Sequence, residues 1–236
     1  MKSTIQQIEA RFDKDVERFS NLQTGQATTL DATLNMELIA EGIARRYPQL
    51  ESLLDIGCGA GNYPIKVLQK LPDVKDITLV DLSRPMLDRA RQRIEAISEG
   101  QVHTVKGDFR TADLEENKYD VIIATAVLHH LREDEDWQLA FKKLYDLLSV
   151  GGSIWIFDLV HQSDMQLQNY IYTDLYGAYL SSLKDEAYRD HVFDYIDKED
   201  SPRSLMYQLK LLEKVGFKNV DILHKHFCFA SFVAFK

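Results

Sequence analysis

The sequence predicts an α/β fold built around a mainly parallel β-sheet. Short apolar segments of strand character recur along the chain, and segments with helical periodicity separate them, as in successive βαβ units. A glycine-rich turn joins the first of these strands to the helix that follows it. Two apolar segments close the chain with a short connection, which favours an antiparallel pair at the end of the sheet.

The first fifty residues are predicted to form an N-terminal helical cap, 1–50, ahead of the main domain, 51–236. Ile5, Ile8, Phe12, Val16 and Phe19 recur at steps of three and four residues, which is typical of an amphipathic helix. Asp31 is placed to cap a second helix, which stops before Pro48.

Parallel strands and helices alternate from residue 52 onward. Right-handed crossovers between successive strands would place the helices on both faces of the sheet. Helices are expected near Tyr63–Leu71, from Ser83 onward, and from about Asp136 to Leu148. The predicted strands are SLLDI (52–56), ITLVD (77–81), VHTV (102–105), VIIAT (121–125) and SIWIFDLV (153–160).

Residues 161–200 interrupt this alternation. The segment is rich in tyrosine and is predicted to form two helices inserted after a strand. A helix over 201–216 follows, with Pro202 near its start and Gly216 beyond its end. VDILHK (220–225) and FASFVAFK (229–236) then supply the closing pair of strands.

Composition and charge limit the partners of this chain. Its 236 residues are 45% hydrophobic, which suits a well-buried core, and its formal net charge is −9. The negative charge argues against nucleic acid or an anionic membrane as a partner. Two distant cysteines indicate free thiols in a reducing compartment, and no signal peptide or apolar span is seen. We therefore expect a cytoplasmic protein; its oligomeric state stays open, a homodimer included.

The glycine-rich turn LLDIGCGAGNYP, Leu53–Pro64, predicts close contact between a ligand and the backbone at a helix N-terminus. Gly57, Gly59 and Gly61 follow a G-x-G-x-G spacing, whereas the dinucleotide fingerprint is G-x-G-x-x-G. Asp55 before the turn would repel a pyrophosphate and instead suits a ligand with positive charge.

Two further acids follow strands. Asp81 ends the second strand, 20 residues after Gly61, where a carboxylate typically accepts hydrogen bonds from ribose hydroxyls. Asp108, in KGDFR, follows the third strand. The three acids together predict a nucleoside that lacks phosphate and carries a cation.

These segments resemble the class I S-adenosylmethionine-dependent methyltransferases. LLDIGCGAGNYP, LVDLSRPMLDRAR, KGDFR, YDVIIATAVLHHL and LLSVGGSIWIFD run in family order from about residue 52 to residue 158. The resemblance implies a Rossmann-like sheet of seven strands with the last antiparallel, and S-adenosylmethionine as cofactor. The cofactor-binding residues that it implies are Asp55, Gly57, Gly59, Gly61, Asp81, Leu82, Asp108, Phe109 and Ala124.

His129 and His130, in AVLHHL, are the candidate catalytic bases, needed if the acceptor must lose a proton. Adjacent side chains on a strand-end loop point in different directions, so we expect one of the two to face the pocket. The alternative is that they only pack or hydrogen-bond. No closely spaced pair of ligands matches a known metal motif, and we expect no metal.

A small-molecule acceptor is expected to bind beneath a lid made of the N-terminal helices and the insertion. Tyr170, Tyr172 and Tyr176 have approximately helical spacing and are candidates for its binding, as is Arg203. The alternatives stay open: the tyrosines would simply pack the lid, and Arg203 would be solvated.

Both ends of the chain resemble the carboxy-S-adenosylmethionine synthase family, which acts in wobble-uridine modification of transfer RNA. RFDKDVERF and the tail LLEKVGFKNVDILHKHFCFASFVAFK carry this resemblance. An arginine that holds the added carboxylate in that family is replaced here by Leu211. We therefore expect a methyltransferase with ordinary S-adenosylmethionine; the alternatives are a synthase-like enzyme and a non-catalytic protein that binds the cofactor.

Overall fold

The computed structural model describes residues 2–21 and 25–236, which fold around a seven-stranded sheet. The strand order is β3-β2-β1-β4-β5-β7-β6. Every neighbouring pair is parallel except those of β7, which runs antiparallel to β5 and to β6. The predicted fold class is therefore confirmed. The strands are β1 Ser52–Ile56, β2 Asp76–Asp81, β3 Gln101–Lys106, β4 Tyr119–Thr125, β5 Leu148–Leu159, β6 Lys218–His226 and β7 Phe229–Phe235.

Helices pack against the sheet and extend across the ends of its strands. In the part of the chain that the structure describes, none of them has the length and apolar character needed to cross a bilayer. A short 3₁₀ turn, Leu128–His130, follows β4, and a π-helical segment, Asn169–Tyr176, lies in the insertion. The α-helices are α1 Ile5–Phe12, α2 Val16–Ser20, α3 Ala32–Arg46, α4 Asn62–Leu68, α5 Arg84–Glu95, α6 Asp134–Leu147, α7 Met165–Gln168, α8 Gly177–Leu183, α9 Glu186–Glu199 and α10 Leu205–Val215.

Apolar side chains of the central strands alternate between two buried clusters. Leu53 of β1 belongs to one cluster with side chains of α3, α4 and α5, whereas Leu54 belongs to the other with side chains of α6 and α10. All five residues of β1 are buried. Such continuous burial is expected of a parallel strand that is covered on both faces, and it fixes the glycine-rich turn at the end of β1.

Helix starts agree with the predicted caps in one case and differ in another. The Ser83 hydroxyl accepts a hydrogen bond from the Met86 N–H at the start of α5. Asp31 precedes α3 as predicted, but its carboxylate makes no capping hydrogen bond. It accepts hydrogen bonds from His224 and His226 on β6 instead, so the prediction of a capping role was wrong.

The N-terminal helices are held to both the insertion and the main sheet domain. The Ser3 N–H donates to the Lys198 carbonyl at 2.9 Å, and the Arg11 guanidinium pairs with Glu199 of α9. On the other side, the Ser83 hydroxyl donates to Asp13. These contacts place α1 between the insertion and the C-terminal ends of β1 and β2.

Candidate active site

Three neighbouring cavities lie where β1, β2 and β4 end. The largest, about 250 Å³, is called the outer cavity, and its wall includes Asp81, Asp108 and Phe109. The glycine-loop cavity, about 120 Å³, is bounded by the turn after β1. The histidine cavity, about 100 Å³, is bounded by both candidate bases. His130 lines all three, so the cavities are adjacent, and together they are called the cleft.

The three glycines of the turn serve different purposes: two line the cleft, and the third allows two helices to pack closely. Gly59 has a φ of 50°, and a Cβ built there would meet no atom within 4 Å, because it would project into open space. Gly57, with a φ of 66°, would place a Cβ 2.6 Å from Val127. Gly61 begins α4 with a φ of 79°, and its Cβ would lie 3.1 Å from Ala90. Gly57 and Gly59 line the cleft, whereas Gly61 permits close packing of α4 on α5.

Asp81 is fixed at the wall shared by the outer and glycine-loop cavities. Its carboxylate accepts hydrogen bonds from the backbone N–H groups of Gly59 and Ser83, both at 2.8 Å. Burial raises the pKa of Asp81, and the backbone hydrogen bonds oppose that rise. Leu82 lines the same two cavities. A carboxylate held in this way offers its remaining lone pairs to a ligand in the cleft.

Asp55 is the least compensated acid of the site. Its side chain lies beneath the glycine turn and is only 2% exposed. Its Oδ1 atom has no hydrogen-bond partner among the described residues. Burial and the nearby charge of Asp81 raise the pKa of Asp55 well above its ordinary value. An unpaired carboxylate in such a position is costly unless a cation is brought to it.

Asp108 and Phe109 line the outer cavity, but Asp108 is already paired. Arg110 donates to both of its oxygens and also to Asp136 at 2.7 Å. Burial raises the pKa of Asp108, but the hydrogen bonds and charge of Arg110 outweigh it, so the pKa falls. Arg110, which the sequence did not single out, therefore fixes the carboxylate at the end of this cavity.

Ala124 does not line the cleft, in contrast to the expectation from the sequence. It is fully buried in the apolar cluster that contains Leu54 and Ile122. The residues after it, Thr125 and Ala126, line the glycine-loop cavity instead. The difference arises because the strand ends at Thr125, so the chain turns toward the cleft only beyond Ala124.

His129 is oriented by a buried carboxylate from the neighbouring strand. Its Nδ1 atom hydrogen-bonds to Asp158 Oδ1. The other oxygen of Asp158 accepts from the Leu128 N–H at 2.7 Å and from the His129 N–H at 3.2 Å. Since Asp158 can only accept in its ionised form, it fixes the proton on Nδ1 and leaves Nε2 directed away from it.

Asp200 brings the two histidines together. Its Oδ1 atom lies 3.7 Å from His129 Nε2 and 3.1 Å from His130 Nδ1, and the two ring centroids are 4.3 Å apart. Both histidines line the histidine cavity, so the expectation that only one of them faces the pocket was wrong. The 3₁₀ turn separates successive side chains by about 120°, and Asp200 lies between them.

The carboxylates on either side of His129 set its charge. Burial alone would lower its pKa, but the negative charges of Asp158 and Asp200 outweigh it and raise the pKa to about 9. The pKa of Asp200 is correspondingly lowered by His129 and His130, in spite of burial. The resting site therefore holds an imidazolium at neutral pH.

His129, His130 and Asp200 could alternatively ligate a metal ion. One possible ligand atom from each of them lies within 4.8 Å of the other two.

The four predicted acceptor-binding residues occupy different environments. Tyr176 lines the histidine cavity, and its hydroxyl donates to the Thr28 carbonyl at 2.9 Å. Tyr172 lies outside that cavity, packed against Tyr176 and Phe193. Tyr170 is 54% exposed. Arg203 lies outside all three cavities, where it donates to Asp134 and to the Arg132 carbonyl. Tyr176 alone among the four lines the cleft.

Sequence reasoning missed several residues of the histidine cavity. Asp200 follows α9, and nothing in the local sequence DKEDSP distinguishes it from solvated acids. Phe12 and Phe19 belong to the apolar stripe that predicted the first helix, but the stripe does not show that they line a cleft. Tyr195 and Phe229 complete its aromatic wall.

Comparison with known proteins agrees with this architecture. Residues 54–154 match the family described as "Methyltransferase domain". A carboxy-S-adenosyl-L-methionine synthase of Campylobacter lari is 25% identical over 213 residues, which are 86% of this chain and 84% of that protein. The corresponding synthase of a Nitratiruptor species is 26% identical and covers 97% of this chain and 95% of its own length.

Solved structures show the same fold. Human N-acetylserotonin methyltransferase in complex with S-adenosylmethionine superposes with a TM-score of 0.65 at 19% identity. The match covers 98% of this chain and 57% of that one, so the chain spans little more than half of that protein. Taken with the glycine turn and the acids at the strand ends, these similarities support an S-adenosylmethionine-dependent methyltransferase domain over residues 54–154.

Proposed function

We propose that the chain transfers a methyl group from S-adenosylmethionine to an ionisable hydroxyl of a small molecule bound in the histidine cavity. The observation that carries this proposal is the buried His129–Asp158 pair in the wall of that cavity, next to His130, which also lines the glycine-loop cavity. When bound, the cofactor supplies a methyl group on a positively charged sulfonium.

The residues of the cleft fit this cofactor. The open space above Gly59 leaves room for the ligand, and Asp81 would accept hydrogen bonds from the ribose. Asp55 is buried beneath the turn and lines none of the three cavities, so its carboxylate would favour the positive charge of the methionine part without touching it. Phe109 would pack on the adenine, with Asp108 beside it. Thr125 and Ala126 would replace Ala124 on the methionine side.

The size and walls of the histidine cavity favour a small acceptor. An engineered cavity of about 150 Å³ in another protein binds benzene, so a cavity of about 100 Å³ suits a single ring or a smaller group. Phe12, Phe19, Phe157, Tyr176 and Tyr195 make much of its wall aromatic. A polymer could present only a single end group or side group to it.

His129 would act as the general base. Its Nε2 atom accepts the hydroxyl proton of the acceptor, while Asp158 retains the proton on Nδ1 and fixes the orientation of the ring. Asp200 balances the imidazolium charge. Because the pKa of His129 is about 9, the resting ring must first lose a proton, and kcat/KM should rise as the pH approaches 9.

The test is a transfer assay with methyl-tritiated cofactor and a panel of small phenols and hydroxy acids. With an accepted substrate, we expect His129→Gln to lower kcat by about 10²–10⁴-fold, while the cofactor affinity measured by calorimetry stays near that of the unmodified protein. His161→Gln is the matched control, since His161 lies outside the three cavities.

Two outcomes would overturn the proposal. Tight cofactor binding without transfer to any member of the panel would indicate a protein that binds the cofactor without catalysis. Full activity of His129→Gln at neutral pH would exclude the proposed base and indicate that proximity alone supports transfer.

The second candidate is a carboxy-S-adenosylmethionine synthase-like enzyme, favoured by the near full-length similarity to such synthases. Against it, Leu211 is 5% exposed in an apolar cluster, outside the cleft. The described wall of the glycine-loop cavity contains no Lys or Arg for an added carboxylate, whereas Arg11 and Arg18 line the adjoining histidine cavity. Native mass spectrometry of the freshly purified protein decides: a bound nucleoside heavier by one carboxylate would establish the synthase.

A further inference from the structure

A second group of converging side chains lies away from the cleft. Asp31 Oδ2 accepts hydrogen bonds from His224 Nε2 at 2.8 Å and from His226 Nδ1 at 2.7 Å. All three side chains are half-buried, and their donor atoms lie within 4.8 Å of one another. His224 and His226 are two residues apart on β6, so their side chains leave the same face of the strand.

The local backbone at Asp31 is adapted to this contact. Asp31 has a φ of 55°, a left-handed conformation that is uncommon outside glycine. At the position before α3, an aspartate would ordinarily cap the helix, but this carboxylate is turned to the histidines instead. Asp31 thus adopts an unfavourable backbone conformation and leaves α3 uncapped, and in this arrangement its Oδ2 atom contacts one ring nitrogen of each histidine.

We propose that Asp31, His224 and His226 form a binding site for Zn²⁺. Two imidazoles and one carboxylate are a donor set that suits zinc, and three protein ligands leave a position for water. Zinc bonds of about 2.0–2.1 Å at the tetrahedral angle place donor atoms about 3.3–3.4 Å apart. The two distances from Asp31 Oδ2 to the ring nitrogens, 2.7 and 2.8 Å, have to open by only about half an ångström, and the ion replaces the two ring protons that now occupy the site.

The position of the site gives the ion a structural consequence. Residues 25–31 lead from the wall of the histidine cavity, where Thr28 and Thr29 lie, to Asp31. The hydroxyls of Tyr176 and Tyr179 already hold this segment by its carbonyls at Thr28 and Ala27. A bound ion would join the Asp31 end of this segment to the edge strand β6 and so fix one wall of the histidine cavity.

Zinc binding is tested on the 236-residue chain without an affinity tag, after treatment with a chelator. Calorimetric titration with ZnCl₂ should show one equivalent bound, and Asp31→Asn and His226→Ala should each weaken it by at least about tenfold, as outer-shell changes already do. His191→Ala, on the exposed face of α9, is the matched control and should leave binding unchanged. Thermal unfolding should shift upward with zinc in the unmodified protein and not in Asp31→Asn.

A measurement on the unmodified chain avoids dependence on variants that fold poorly. Of the seven histidines, zinc should perturb the imidazole NMR signals of His224 and His226 and leave the others unchanged. Perturbation of His129 and His130 instead, with affinity retained in Asp31→Asn, would assign the ion to the cleft and overturn the proposal. Absence of saturable binding would overturn it equally. None of these readouts depends on the methyl acceptor.

Discussion

The charge on His129 should make the stability of the protein fall as the pH rises from about 6.5 to about 9. A histidine whose pKa is higher in the folded than in the unfolded state contributes stability. This contribution is fully present at a pH below the unfolded-state pKa. That contribution is lost as the pH rises through the folded value. Here the two values are 6.5 and about 9. At 1.36 kcal/mol per pKa unit, the difference corresponds to about 3 kcal/mol of the free energy of unfolding. In a chain of this length that is a decrease in Tm of about 6–12 °C.

The assay is urea unfolding at a series of pH values between 6 and 9, on the unmodified protein and on His129→Gln. Glutamine keeps a hydrogen bond but carries no charge, so the variant should be less stable at pH 6 and should lack most of the decline. Asp200→Asn removes one of the two carboxylates that raise the pKa of His129 and should move the decline to lower pH. A decline of equal size in His129→Gln would refute the reasoning, because other groups would then be its source.

Three further substitutions test other parts of the structure. Asp55→Asn should raise the Tm of the cofactor-free protein at pH 7, since it removes a buried carboxylate whose pKa is raised. The same change should weaken cofactor binding about 10- to 100-fold in calorimetry. A lower Tm with unchanged cofactor affinity would contradict this account. Gly61→Ala should lower the free energy of unfolding in urea by about 1–2 kcal/mol, because of its positive φ and the close approach to Ala90, and an unchanged midpoint would show that α4 relaxes freely. Tyr176→Phe should cost about 1 kcal/mol through the lost hydrogen bond to the Thr28 carbonyl, and a neutral result in urea unfolding would mean that water replaces the hydroxyl.

The sequence predicted those features that local pattern controls. Periodicity and spacing over a few tens of residues are enough to predict β1, β2, the glycine turn between β1 and α4, and the position of Asp81. The contacts of Asp200 with His129 and His130 could not be predicted, because they join residues seventy positions apart, where the segment after α9 meets the 3₁₀ turn. Asp31 was misjudged for the same reason, since its partners lie nearly two hundred residues away.

The shared walls of the cleft have a thermodynamic consequence for how the two substrates bind. Phe12, Phe19 and His130 line both the histidine cavity and the glycine-loop cavity. If cofactor binding orders these side chains, the acceptor meets a preformed wall and loses less conformational entropy on binding. Linkage then requires reciprocity: whatever factor the cofactor adds to the affinity of the acceptor, the acceptor must add to that of the cofactor. A screen for acceptors on the cofactor-free protein would therefore underestimate the affinity of every true substrate by that same factor.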